Sequence, residues 1–331
     1  MKISILDLSP ISSNQTAKEA LDESLKLAQA GDELGYTRYW ISEHHDLPGL
    51  ACSAPEVMIS YIGANTNRIR IGSGAVLLPH YKPYKLAEVY NMLATLYPNR
   101  IDIGIGRAPG GSAEATNALS DNFLQQVWKM PDLVKELLHF LKNDFPEEHE
   151  FSKVKASPLP ELPPMPWILG TSKKSALLAA EHGLAYAFGQ FMSDKDGADI
   201  IQQYLDAFQP NKHSQSPHVL LTVSVVCAET TEKAEEIALS NFIWALQKEN
   251  GEGLYVPSIQ EAKQYELNEK ELEKLAAVKK RMIIGNPLEV KRKLEQLQAS
   301  YNADEIMILT ITHSPKDRIK SYRLIAEKVL L

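Results

Sequence analysis

Cysteine is scarce: Cys52 and Cys227 are the only two in 331 residues. Two thiols so far apart give neither a disulfide framework nor a metal-binding spacing, and the reduced state is expected. No apolar run reaches ~18 residues, so no membrane-spanning helix is expected. The opening Met1-Lys-Ile-Ser-Ile-Leu passes into a strand pattern after one charge, with no signal-peptide core. A cytoplasmic location is the expectation. Basic clusters are missing too. Lys and Arg number 35 against 42 Asp and Glu, a net charge of −7, which argues against nucleic acid as a partner. The one charge-rich region, 261–281, mixes both signs and reads as a solvated helix. No phosphate-loop motif occurs. The glycines at 104 and 106 fall short of a dinucleotide fingerprint, because its third glycine would lie at 109, which is Pro.

What is present is an alternation of strand-like and helix-like segments. Short apolar runs occupy 2–8, 37–42, 69–76, 100–106, 166–170, 184–188, 219–227 and 304–310. Most are continuous rather than alternating, the pattern of strands covered on both faces by helices. Helix starts are marked by Thr16-Ala-Lys-Glu19 and Ser53-Ala-Pro-Glu56, both read as capping boxes. Asn286-Pro and Ser314-Pro place Pro at a first helical position behind a capping side chain. In the first helix, Leu21, Leu25 and Ala28 form the apolar stripe and Gly35 the stop. Eight strands, each followed by helix, predict one α/β domain over 1–331, a (β/α)8 TIM barrel; a doubly wound sheet is the runner-up. An excursion over 250–283, after the seventh strand, belongs at the mouth of such a barrel and reads as a lid or as a solvated helix pair.

Parallel α/β folds build their sites at the C-terminal ends of strands. There the second run closes in Glu43-His44-His45. Neighbours on a strand face opposite ways, so one imidazole faces the mouth and the other the helices, and the pair cannot share a metal. The third run carries Gly72-Ser-Gly-Ala75, bare enough for a planar ligand or for tight packing. The fourth ends in Arg107, able to grip an anion. The fifth leads into Thr171-Ser-Lys-Lys-Ser175, a phosphate seat or an ordinary helix cap. Leu47, Leu50, Tyr81, Phe188 and Phe191 are the candidate lining of an apolar substrate pocket.

These residues together resemble the bacterial luciferase-like family of flavin-dependent monooxygenases. The resemblance spans nearly the whole chain. It rests on Glu43-His44-His45, Gly72-Ser-Gly-Ala-Val-Leu-Leu-Pro79, Gly104-Ile-Gly-Arg107, Pro166-Trp-Ile-Leu-Gly170 and Ile284-Gly-Asn-Pro287 in that order. It implies a (β/α)8 barrel that uses reduced FMN and O2 to oxygenate a small organic substrate. The deazaflavin F420 with hydride transfer, and a flavin-binding barrel without turnover, are the alternatives. By the same resemblance His44 is the catalytic acid or base and Glu43 lies beside the flavin ring. Gly74–Ala75 matches a strand-3 dipeptide, often a cis peptide, that contacts the ring. Arg107, Ser172 and Ser175 match phosphate contacts, with Thr171 beside them. Residues 250–283 match a mobile loop. A separate flavin reductase and a homodimer through the second and third barrel helices are implied as partners. Gly106 stands where the luciferase has a reactive cysteine and Thr171 where it has a carboxylate, departures that count against light emission. The substrate is left open.

Overall fold

The chain is described here by a computed structural model covering residues 1–193, 196–211, 214–251 and 253–330. Residue 252, within the expected lid, and residue 331, the end of the expected domain, lie outside the described residues. The first half holds β1 (Lys2–Asp7), α1 (Ala17–Leu34), β2 (Arg38–Ile41), α2 (Pro55–Ala64), β3 (Arg70–Ser73), β4 (Val76–Leu77), α3 (Pro83–Leu96) and β5 (Ile101–Gly106). Next come α4 (Ala113–Leu119), α5 (Phe123–Trp128), α6 (Met130–Lys142), β6 (Met165–Gly170), α7 (Lys173–Glu181), β7 (Ala185–Gly189), α8 (Ala198–Ala207) and β8 (Val219–Cys227). The last part is α9 (Thr231–Glu249), α10 (Ile259–Gln264), α11 (Glu269–Arg281), β9 (Met282–Gly285), α12 (Pro287–Ser300), β10 (Glu305–Leu309) and α13 (Pro315–Val329).

All eight expected strands form. They pair in parallel in the order β1-β2-β3-β5-β6-β7-β8-β10, and β10 closes the ring by pairing both β8 and β1. This is the expected (β/α)8 barrel. The third expected strand is split, since β3 and β4 flank a cis peptide between Gly74 and Ala75. One strand was not expected: β9, at the end of the inserted segment, pairs the C-terminal half of β8 over Ser224–Cys227.

Local signals explain the helix starts. Thr16 and Glu19 complete the capping box of α1, and Gly35 ends that helix at φ +84°, a backbone region that glycine enters without a steric penalty. Asn286 with Glu289 caps α12, and Ser314 caps α13. Two readings need correction. The box at Ser53 does not form: Pro55 takes the first helical position, so the cap falls on Ala54, which has no side-chain acceptor. In α1 the buried face centres on Ser24, Leu27, Ala28 and Gly31, with Leu21 and Leu25 at its margin.

Strand alternation sorts the core into two layers. Ile5, Tyr39, Ile71, Ile105, Tyr186 and Val223 face the helices. Leu6, Trp40, Trp167, Ala187, Leu220 and Met307 fill the barrel. Two indoles occupy much of that interior, meeting edge to face at 5.2 Å. Adjacent strands make room with glycine: a Cβ on Gly104 would lie 2.1 Å from the Ser73 carbonyl oxygen and 3.0 Å from Leu169.

Below the indoles, charged residues at the strands' N-terminal ends close the barrel. Arg38 of β2 donates through Nη1 to Asp102 of β5 at 2.7 Å and through Nε to Glu305 of β10 at 2.8 Å. Arg70 of β3 and the Trp40 indole donate to the same Asp102, and Ser4 of β1 donates to Glu305. The Arg38 guanidinium also lies 4.6 Å from the Trp167 ring. Burial alone would raise the Glu305 carboxyl. Neighbouring His218, 3.8 Å away, and Arg38 outweigh it and hold the group at about 2. Arg38→Met should therefore cost about 3–5 kcal/mol, the scale for stranding a buried partner charge. Urea unfolding at neutral pH reads this directly, and a loss below about 1 kcal/mol would show that the floor is not held by this arginine. For a depressed carboxyl the stabilisation is present above the unfolded value and disappears as pH falls toward 2.

Candidate active site

The barrel opens at its other end into a cavity of about 360 Å³. Its walls come from all eight barrel strands, mostly from their C-terminal ends and the turns that follow them. Ser42, Glu43 and His44 follow β2, while Gly74 and Ala75 lie between β3 and β4. Gly106 and Arg107 end β5, and Gly170, Thr171 and Ser172 end β6. Phe191 and Met192 follow β7, with Thr222 of β8 and Met307 of β10 below. One wall is almost bare backbone. Ser42 Oγ donates to the Gly74 carbonyl at 2.8 Å, and a Cβ on Gly106 would sit 2.9 Å from the Ala75 Cβ. A cysteine at 106 would collide there, which accounts for the glycine.

The two histidines separate as alternation requires. His44 lines the cavity, while its backbone N–H donates to the Cys52 carbonyl at 3.0 Å. Its Nδ1 is buried with no hydrogen-bond partner among the described residues. Burial first, then the charges of Lys248 and His45, push its pKa down to about 4. His44 is thus a neutral imidazole at pH 7 with unused hydrogen-bonding capacity. His45 turns away. Its Nε2 lies 2.8 Å from Glu43 Oε1, and its ring meets His80 edge on at 5.9 Å. Glu43 is held on three sides, because Tyr81 OH donates to Oε1 at 2.7 Å and Leu77 N–H to Oε2 at 2.9 Å.

At the opposite wall Arg107 is exposed and its Nη2 donates to Ser172 Oγ at 3.3 Å. Ser172 caps α7, so the free N–H groups of that helix open beside the arginine. A guanidinium, a hydroxyl and a helix N-terminus in one corner can hold a phosphate.

The sequence model of the luciferase-like monooxygenase family matches residues 1–303. The chain belongs to this family. Among its relatives is N-acetyl-S-alkylcysteine monooxygenase of Bacillus subtilis (strain 168), 34% identical over 331 residues, covering 100% of this chain and 98% of that protein. Among solved structures, apo-MsnO8 is 32% identical with a TM-score of 0.89, covering 99% of this chain and 97% of that one. The oxygenating constituent of 3,6-diketocamphane monooxygenase from Pseudomonas putida, solved with FMN, is 19% identical. Its TM-score is 0.72 with 99% and 97% of the chains covered, a likeness of fold.

With the family's barrel in place, the residues singled out in the sequence can be located. His44, Glu43, Gly74, Ala75, Arg107, Thr171 and Ser172 converge on the one cavity. Ser175 stands behind it: its hydroxyl donates to the Ser172 carbonyl at 2.7 Å and meets Tyr186 OH at 3.1 Å. The proposed pocket lining needs more correction. Phe191 lines the cavity, but Phe188 does not. In β7 Ala187 takes the inward position, so Phe188 points outward and is fully buried under the helices. Tyr81 lies behind Glu43, Leu47 is exposed at a turn, and Leu50 packs on the inner core above β1 and β2. Leu6, Leu8, Leu77, Leu169, Met192, Thr222 and Met307 are among the lining that sequence reading missed. Barrel register would have found Leu169, Thr222 and Met307.

Because the His44 pKa is depressed, its neutral form is favoured, and stability falls as pH drops from about 6.5 toward 4. A ¹H–¹⁵N NMR titration of the imidazoles should place the His44 midpoint near 4. A midpoint of 6 or higher would mean that the ring is solvated.

Proposed function

We propose that this chain is the oxygenating component of a flavin-dependent monooxygenase, with reduced FMN and a small organic substrate sharing the cavity. The supporting observation is that one cavity carries His44 and a bare wall at Gly74, Ala75 and Gly106, with Arg107 and Ser172 at its far side. A flat ring fits the bare wall, and a phosphate fits the corner where α7 begins. The FMN complex of the diketocamphane enzyme supports FMN as the flavin.

Reduced FMN, when bound, supplies the electrons by which O2 is activated and one oxygen reaches the substrate. The chain's own residues prepare that step. Arg107, Thr171 and Ser172 hold the phosphate, with Ser175 fixing Ser172 from behind. Leu6, Leu77, Leu169, Phe191 and Met307 keep water from the reacting atoms. His44, neutral and with a free Nδ1, takes or gives a proton at that nitrogen. Glu43, tied by three donors, holds His45 and the turn at Leu77 in position.

Residues 1–331 form one luciferase-like unit, and 250–283 are its lid. The insertion already reaches the mouth: Val256 exchanges backbone hydrogen bonds with Ile11 and Ser13, after β1. A homodimer through α2 and α3 is supported by Val57, Tyr61, Met92 and Leu96, all large, apolar and exposed on those helices. A separate reductase supplies the reduced flavin. Two buried, unpaired cysteines suit the cytoplasm.

Paired variants separate binding from chemistry. Arg107→Ala should weaken FMN about tenfold to a hundredfold, the worth of a charge-assisted hydrogen bond. His44→Ala should leave FMN affinity intact yet cut turnover about 10²- to 10⁴-fold. FMN affinity unchanged by Arg107→Ala would remove the phosphate seat, and full O2-coupled turnover in His44→Ala would remove the acid/base role.

Hydrogen exchange addresses the lid and the dimer together. Amides of 253–281 should exchange readily without flavin and slow on binding it, and the outer faces of α2 and α3 should lose protection on dilution. Equal protection throughout would make the insertion a fixed cover and the chain a monomer.

A further inference from the structure

α9 does not simply pack beside β8. Its second half reaches over the barrel's mouth: Trp244 belongs to the inner core with Leu6, Trp40, Leu309 and Ile311. The edge of that indole approaches the turn that follows His44, since a Cβ on Gly49 would lie 3.0 Å from Trp244 Cζ2. One helical turn further on, Lys248 lays its ammonium on the Trp244 face, 3.9 Å from the ring centroid. The cation therefore lies on that indole, near the turn that follows His44.

Lys248 differs from its neighbours. Lys263 and Lys274 are paired with Glu236 and Glu249. Among the described residues no carboxylate lies within ion-pair distance of Lys248. Its side chain is exposed, yet enough protein surrounds it to lower the ammonium pKa. Its charge also reaches His44, where it helps keep the imidazole neutral. An ammonium without a carboxylate partner among the described residues thus stands near the turn that carries the buried, unpartnered imidazole nitrogen of His44.

We propose that Lys248 anchors a carboxylate on the organic substrate, so that the enzyme takes apolar acids head-outward, their chains lying on Phe191, Met192 and Leu77. This rests on the reading that the cavity is the flavin and substrate site. The indole under the ammonium fixes its height above the mouth, and the apolar walls receive the remainder.

Hexanoate and its uncharged counterpart hexanamide serve as probes. Calorimetric titration of the full chain, with and without FMN, compares wild type, Lys248→Met and Lys248→Arg. Wild type should prefer hexanoate at least tenfold. Lys248→Met should abolish that preference without changing hexanamide binding, and Lys248→Arg should retain most of it. No preference in wild type, including no binding of either probe, overturns the proposal. So does a preference that survives Lys248→Met. FMN titration of the same proteins keeps the two readings apart. Failure of wild type to bind FMN counts against the flavin alone, because the hexanoate preference is also read without it.

Discussion

A guanidinium cannot be left unpaired in a barrel interior, and much of this fold follows from how Arg38 is satisfied. Its planar fork reaches two carboxylates on strands far apart in sequence, Asp102 and Glu305. Those contacts fix β2 against β5 and β10 across the barrel rather than along its wall. The Trp167 face covers what remains of the cation, and the Trp40 N–H completes Asp102. With the lower half so filled, the cavity that carries the candidate site lies at the C-terminal end. There the lining changes from charge to leucine, methionine and bare glycine. The cavity is the part of the barrel that the ion cluster and the two indoles leave empty.

That division also separates the roles of similar residues. Carboxylates at the floor are fully paired and structural. Glu43, at the mouth, is also fully bonded, and its hold on His45 leaves His44 as the imidazole free to act. Two adjacent histidines thus differ in bonding: among the described residues His45 has a side-chain partner and His44 Nδ1 has none.

The fold was largely legible. Eight apolar runs became eight strands because each is buried on both faces, a property that composition carries directly. The caps at Thr16 and Asn286 lie within four residues of what they bond. The cap at Ser53 failed because Pro55 set the helix start one residue later. Most of the site was legible as well, through residues at strand ends. What could not be read was facing. Phe188 ends an apolar run in which either parity was admissible, and only pairing with β6 and β8 decided it. Lys248 lies in a helix of mixed charge, indistinguishable from a solvated one until Trp244 turns inward. The floor was invisible for a related reason: Arg38, Asp102 and Glu305 share no local pattern and meet only when the ring closes.

The order in which the ring's parts are synthesised gives that closure a temporal side. Asp102 leaves the ribosome soon after Arg38, but Glu305 follows about 200 residues later. Throughout that interval the growing chain holds an arginine with one of its two carboxylates, and β1 lacks the neighbour that will seal it. Domains generally fold as units, beginning during synthesis. This one can assemble early βα units on the ribosome, yet its floor stays hydrated until β10 arrives. The candidate site above it, though built mostly from earlier strands, acquires its rigid base only once β10 has been made.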